Sequence, residues 1–149
     1  MGNTPVEPSL ELTLDGRVLF SSGLRWLHPL LELEEYLASR PVDVARCLLR
    51  DKIVGRAAAL LMVRLGVRAV HAGLLSRLGE EIFLSRGVRY TSDGLVDRIA
   101  CRTEDLLREV TDPEEAHRLI VARAAATRRS SPAASGGALS GDAAAGGAA

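Results

Sequence analysis

The run Asp51-Lys52-Ile53-Val54-Gly55-Arg56-Ala57-Ala58-Ala59 concentrates the residues best suited to chemistry. Of nineteen lysine and arginine residues in the 149-residue chain, only Lys52 is a lysine. A compact ammonium shifts its pKa readily and can serve as nucleophile or point-charge anchor, which a guanidinium does poorly. The pattern also predicts a helix over about 52–65, with Asp51 as N-cap and Gly66 just past its end. On that reading the first-turn N–H groups and the Lys52 ammonium face one bound group. Gly55 and Arg56 would join them, and Ser76 would add a hydroxyl from the next helix start, although capping that helix is its simpler role. The expected ligand set is therefore Asp51, Lys52, Gly55, Arg56 and Ser76, around an anionic or nucleotide-like small molecule.

Charge supports a local site rather than a general one. Formal net charge is zero, which argues against nucleic-acid binding driven by phosphate attraction. Yet Arg46, Arg50, Lys52, Arg56, Arg64 and Arg68 stand against a single anion, Asp51, while Glu32, Glu34 and Glu35 lie upstream. Complementary partners or a second copy could meet these two regions, so a homo-oligomer is an open reading. Two cysteines are too few for a disulfide-stapled secreted domain. Cys101 beside Arg102 is a candidate for a lowered thiol pKa, with apolar packing the simpler role. Neither a signal segment nor a membrane-spanning apolar run is visible, so a cytoplasmic location is expected. Trp26 near His28 suits either ligand stacking or packing against the first helix.

These residues need elements to hold them. Leu10, Leu12 and Leu14 alternate with Glu11 and Thr13, Asp15-Gly16 turns the chain, and residues 17–20 return, which predicts a β-hairpin. A helix over 29–38 follows, and Pro41 breaks the chain. Residues 42–50 fit a strand or an extended loop. After the main helix come a strand over 67–72, a helix over 77–85 capped by Ser76, and a strand over 88–90. Asp93-Gly94 reads as a turn into a short helix over 95–100. Helices over 103–110 and 113–126 complete the body, the latter opened by Asp112-Pro113-Glu114-Glu115. Short helix–strand repeats imply parallel strands joined by right-handed crossovers. The chain divides into a flexible segment 1–8, one α/β domain over 9–128, and an Ala/Gly/Ser-rich tail over 129–149 that cannot bury enough apolar surface to order itself.

The run from Asp51 to Ala59 resembles the signature of the family catalogued as domain of unknown function 1893. The Leu12–Gly16 hairpin, Pro29-Leu30-Leu31, Gly66-Val67, Ser76, Gly87-Val88 and residues 96–102 agree with it in order. The resemblance implies a cytidine-deaminase-like fold: a three-layer α/β/α sandwich whose mixed sheet begins with the hairpin. Zinc deaminases need a His or Cys ligand, a nearby Glu and a Pro-Cys-x-x-Cys pair. The matched helix starts, Asp51-Lys52-Ile53 and Ser76-Arg77-Leu78-Gly79, supply neither thiolate nor imidazole, and His28, His71 and His117 are scattered. No metal, no cofactor and no zinc-dependent deamination are therefore expected. Where that family often carries Cys-Pro-Met-Glu, this chain has Asp112-Pro113-Glu114-Glu115, which favours a helix cap. Three functions stay open: a metal-free ligand-binding or regulatory domain, an enzyme acting on a nucleotide-like substrate through Lys52 and Asp51, and a protein-interaction module.

Overall fold

Leucine alternation and an Asp-Gly turn build the first element pair. In the computed structural model, which describes residues 7–99 and 102–129, β1 (Leu10–Leu14) pairs antiparallel with β2 (Arg17–Ser22). Asp15 and Gly16 take φ values of 53° and 82°, the left-handed turn that lets the strands return. α1 (His28–Ala38) opens with Pro29 in its first turn, where a missing N–H costs nothing. A 3-10 turn (Val44–Arg46) leads to β3 (Leu48–Val54), then α2 (Arg56–Leu65), β4 (Ala69–Ser76), α3 (Arg77–Arg86) and β5 (Arg89–Val96). α4 (Arg102–Leu106) and α5 (Pro113–Arg129) end the body. Gly66 and Gly87 close α2 and α3 in left-handed conformations, as expected of helix-terminating glycines.

The five strands form one mixed sheet in the order β2-β1-β3-β4-β5. β1 runs antiparallel to both neighbours, and β3, β4 and β5 run parallel. Three β–α–β crossovers of one hand, all stepping in one direction, put α1, α2 and α3 on a single face. Burial agrees: Leu10, Leu12, Leu49, Val70 and Ala72 are closed off on that side. α5 packs on α2 and reaches α1 through His117 Nε2 and Glu34 Oε1 at 3.0 Å. α2 is thus enclosed all round, with Ala57 to Met62 buried without a break. Aliphatic residues fill most of the core, and Phe83 is its one fully buried aromatic. Asp112 Oδ1 accepts from Glu114 N at 3.3 Å, so the Asp-Pro-Glu-Glu opening does cap a helix.

Four expectations need correction. The main helix does not start at Lys52: Asp51 and Lys52 lie inside β3, and Gly55 is the N-cap. The chain does not turn at Asp93-Gly94, because β5 runs through to Val96 and residues 95–99 form no helix. β4 likewise continues through Gly73 to Ser76. Finally, helices do not cover both faces of the sheet among the described residues. The other face carries Glu11, Thr13, Arg50, Lys52, His71, Thr91 and Asp93, all partly or fully exposed. The layers run sheet, then α1–α3, then α5. The segments 1–6 and 130–149 and Cys101 lie outside the described residues. No helix among the described residues is long and apolar enough to cross a membrane.

Candidate functional site

The start of α2 was the expected anion site, and the protein fills it with its own carboxylate. Glu104 Oε1 accepts from Arg56 N at 2.7 Å, and Glu104 Oε2 accepts from Ile99 N at 3.3 Å. Its side chain is 2% exposed. A negative group at a helix N-terminus satisfies unpaired N–H groups and the dipole together. Gly55 makes room for it, since a Cβ there would collide with the Glu104 carboxylate. Gly79 lets α3 approach equally closely: a Cβ there would stand 2.9 Å from the Gly55 carbonyl oxygen.

Arg56 is likewise committed. It is 4% exposed, and its Nε donates to the Val110 carbonyl at 2.9 Å. One terminal nitrogen donates to the Leu78 carbonyl at 3.3 Å and pairs with Glu81 Oε1 at 3.1 Å. The guanidinium ties α2 to α3 and to the segment before α5. Ser76 is fully buried and accepts from Gly79 N at 3.0 Å, so it caps α3 and offers no hydroxyl outward. Gly55, Arg56 and Ser76 therefore gather at one place, as expected, but for structural reasons.

Asp51 and Lys52 part company. Successive strand residues point to opposite faces, and Asp51 sits between Leu10 and Ala72, both buried on the helix side. The residue is half-buried as a whole, but its carboxyl end is largely removed from water. Burial pushes that carboxyl up to about 7, partly opposed by hydrogen bonds from the backbone N–H groups of Ile53 and Lys52. Lys52 projects from the exposed face, where its Nζ lies 3.9 Å from Glu7 Oε1 with the side chain 52% exposed. The two residues line one groove, but their side chains leave β3 on opposite faces.

The open face has its own geometry. A groove of about 300 Å³ is lined by Glu7, Ser9, Glu11, Arg50, Lys52, His71, Gly73 and Asp93, with Pro8 and Asp51 completing it. His71 Nδ1 meets Thr91 Oγ1 at 2.7 Å, and its Nε2 lies 3.4 Å from Asp93 Oδ1, which fixes the ring. Gly73 keeps the floor flat, because a Cβ there would stand 2.7 Å from the Lys52 carbonyl oxygen. A second groove, of about 520 Å³, adjoins it through the shared residues Glu11 and Arg50 and includes Arg46 and Arg89. Among the described residues, no three His, Cys, Asp or Glu side chains form a group able to hold a metal ion.

Sequence reasoning missed Glu104, which it placed on an ordinary helix. Its neighbour Thr103 is also buried and accepts from Trp26 Nε1 at 2.9 Å. Trp26 has φ 59° and meets His28 edge-on at 5.1 Å, so the indole holds the segment before α1 to α4. Cys47 is buried, and desolvation raises its thiol pKa, aided by Asp43. That makes it a poor nucleophile.

Residues 9–123 match the family described as Domain of unknown function (DUF1893). The chain belongs to this family. Its fold is similar to the crystal structure of a DUF1893 family protein (TM1506) from Thermotoga maritima, with a TM-score of 0.70 and 27% identity. That match covers 78% of this chain and 80% of the other. No curated protein matches. Within DUF1893, the Asp51–Ala59 run thus spans the end of β3, the glycine N-cap and the first turn of the enclosed helix.

Proposed function

We propose that this DUF1893 chain is a metal-free small-ligand-binding or regulatory domain whose ligand lies on the open sheet face over Lys52. The setting of that ammonium carries the reading. It is half-exposed, its ion pair to Glu7 is long, and Arg50, two residues earlier on the same face, has no side-chain partner among the described residues. The groove also holds Glu7, Glu11 and Asp93, so a bare anion gains little there. A ligand with an anionic group for Lys52 and Arg50, and amino or hydroxyl donors for the carboxylates, fits better. Nucleotide-like and zwitterionic metabolites have that pattern. The strand order, with a leading hairpin and three parallel strands, supports a cytidine-deaminase-like scaffold. The starts of α2 and α3, Gly55-Arg56 and Ser76-Arg77, offer no zinc ligand. Two cysteines, and no helix among the described residues long and apolar enough to cross a membrane, suit the cytoplasm.

A thermal-shift screen with nucleotides and zwitterionic metabolites tests this reading. The expected result is a rise in Tm that Lys52→Met abolishes without loss of the fold. A rise that persists in Lys52→Met removes the site from this face.

One observation favours an enzyme as second reading. Burial pushes the Asp51 carboxyl, at the middle of β3, up to about 7, a range in which a carboxyl can serve as acid or base near neutral pH. Such a reaction would use Asp51 as acid or base without Lys52, which stands on the other face. Turnover with a midpoint near pH 7 that vanishes in Asp51→Asn would support it.

A further inference from the structure

Parallel strands are almost always covered on both faces. Here β3, β4 and β5 carry helices on one face, while Arg50, Lys52, His71, Thr91 and Asp93 on the other are exposed or half-exposed, with Val54 and Leu75 buried at its carboxyl edge. The charges on that bare face are sorted along the strands. At the amino end of the parallel strands, Arg46, Arg50 and Arg89 line one groove against Glu11 and Asp15. At the carboxyl end, Glu7, Glu11 and Asp93 line the other around Lys52, with Arg50 shared between the two grooves. Along β5 alone, Arg89, Thr91 and Asp93 occupy alternate positions on this face. A rise of about 3.3 Å per residue separates the arginine from the aspartate by roughly 13 Å.

We infer that a second copy of this chain docks face to face on the bare side of the sheet. Its two-fold axis lies across the strands, along the paired row Glu11, Arg50, His71 and Thr91. This rotation keeps each strand over its own counterpart and reverses its direction. Arg89 of each copy then faces Asp93 of the other. On the axis Glu11 and Arg50 each meet their own copy, with the opposite charge one strand to the side. Such an interface is isologous, as closed dimers require. Each copy also roofs the Lys52 groove of the other and brings arginines to its acidic end.

The dimer stands or falls without any ligand, so its test is separate from that of the ligand reading. Size exclusion with light scattering on the full chain at low salt should give twice the chain mass, falling toward one chain as salt screens the pairs. Arg89→Glu and Asp93→Arg should each give a monomer with an unchanged circular dichroism spectrum. The double variant should restore the dimer. A wild-type monomer at low salt, or a dimer indifferent to both single reversals, overturns the inference. So does a monomer in which deleting residues 130–149 removes hydrogen-exchange protection from β4, since the chain's own end would then cover the face. A restored dimer that binds none of the screened metabolites would leave this inference standing and remove the ligand reading alone.

Discussion

The two faces of the sheet treat their polar groups in opposite ways. On the helix side each buried polar group is matched inside the fold: Glu104 with two backbone N–H groups, Arg56 with two carbonyls and Glu81, Ser76 with Gly79 N. No buried side-chain nitrogen or oxygen among the described residues lacks a partner. On the bare side, the Arg50 side chain has none among the described residues and Lys52 has only a distant one. Polar residues beside a helix start can therefore be cement, while less conspicuous ones in mid-strand face solvent and remain available. Unpaired buried groups are costly, whereas exposed ones exchange partners with water at little expense.

The contrast breaks most visibly at Gly55. Gly55→Ala drives a methyl into the Glu104 carboxylate and should cost about 3 kcal/mol or more, read by denaturant unfolding. Glu104→Ala should cost a similar amount, by stranding the N–H groups of Arg56 and Ile99. If both are tolerated within experimental error, the α2 start is not sealed and an external anion deserves reconsideration there.

Asp51→Asn sharpens the comparison through pH. Because the folded-state value stands above the ordinary carboxyl value, the folded protein holds the proton more tightly than the unfolded chain. The stability this contributes is complete below about pH 4 and is lost as pH rises through about 7. Asp51→Asn should therefore gain about 2 kcal/mol over wild type at pH 8 and almost nothing at pH 4. Thermal melts across that range decide it, and a difference independent of pH would place the carboxyl in water.

Glu34 gives a smaller effect of opposite sign. Burial works to raise its carboxyl pKa, but hydrogen bonds from Arg64 at 2.8 Å and His117 at 3.0 Å hold it below the usual range. Its contribution is present at neutral pH and fades as acid protonates it. Glu34→Gln should cost about 1 kcal/mol at pH 7, measured by unfolding, and less at pH 4. The smallest change is Lys52→Met, expected within about 0.5 kcal/mol of wild type by the same measurement, as its ion pair is long and exposed.

The hairpin, the Ser76 cap and the Asp-Pro opening of α5 were legible because each depends on a few neighbouring residues. β3 was not. Its inward Asp51 breaks the apolar alternation that marks a strand, and a carboxylate before an apolar run imitates an N-cap. Gly73 and Gly94 imitated turns. In the fold they make room between strands, since a Cβ at Gly94 would sit 3.3 Å from Leu74 Cδ1. Glu104 was beyond reach for another reason: it meets Arg56 across 48 residues of chain, a partnership no local pattern encodes.

The enclosure of α2 also bears on the order of assembly. A helix whose middle is apolar all round has no stable home on a bare sheet, and its outer side gains cover only when α5 arrives. Chains cut before residue 113 should thus lose far more than a trailing helix. They would leave the centre of the molecule uncovered, because α5 secures the middle.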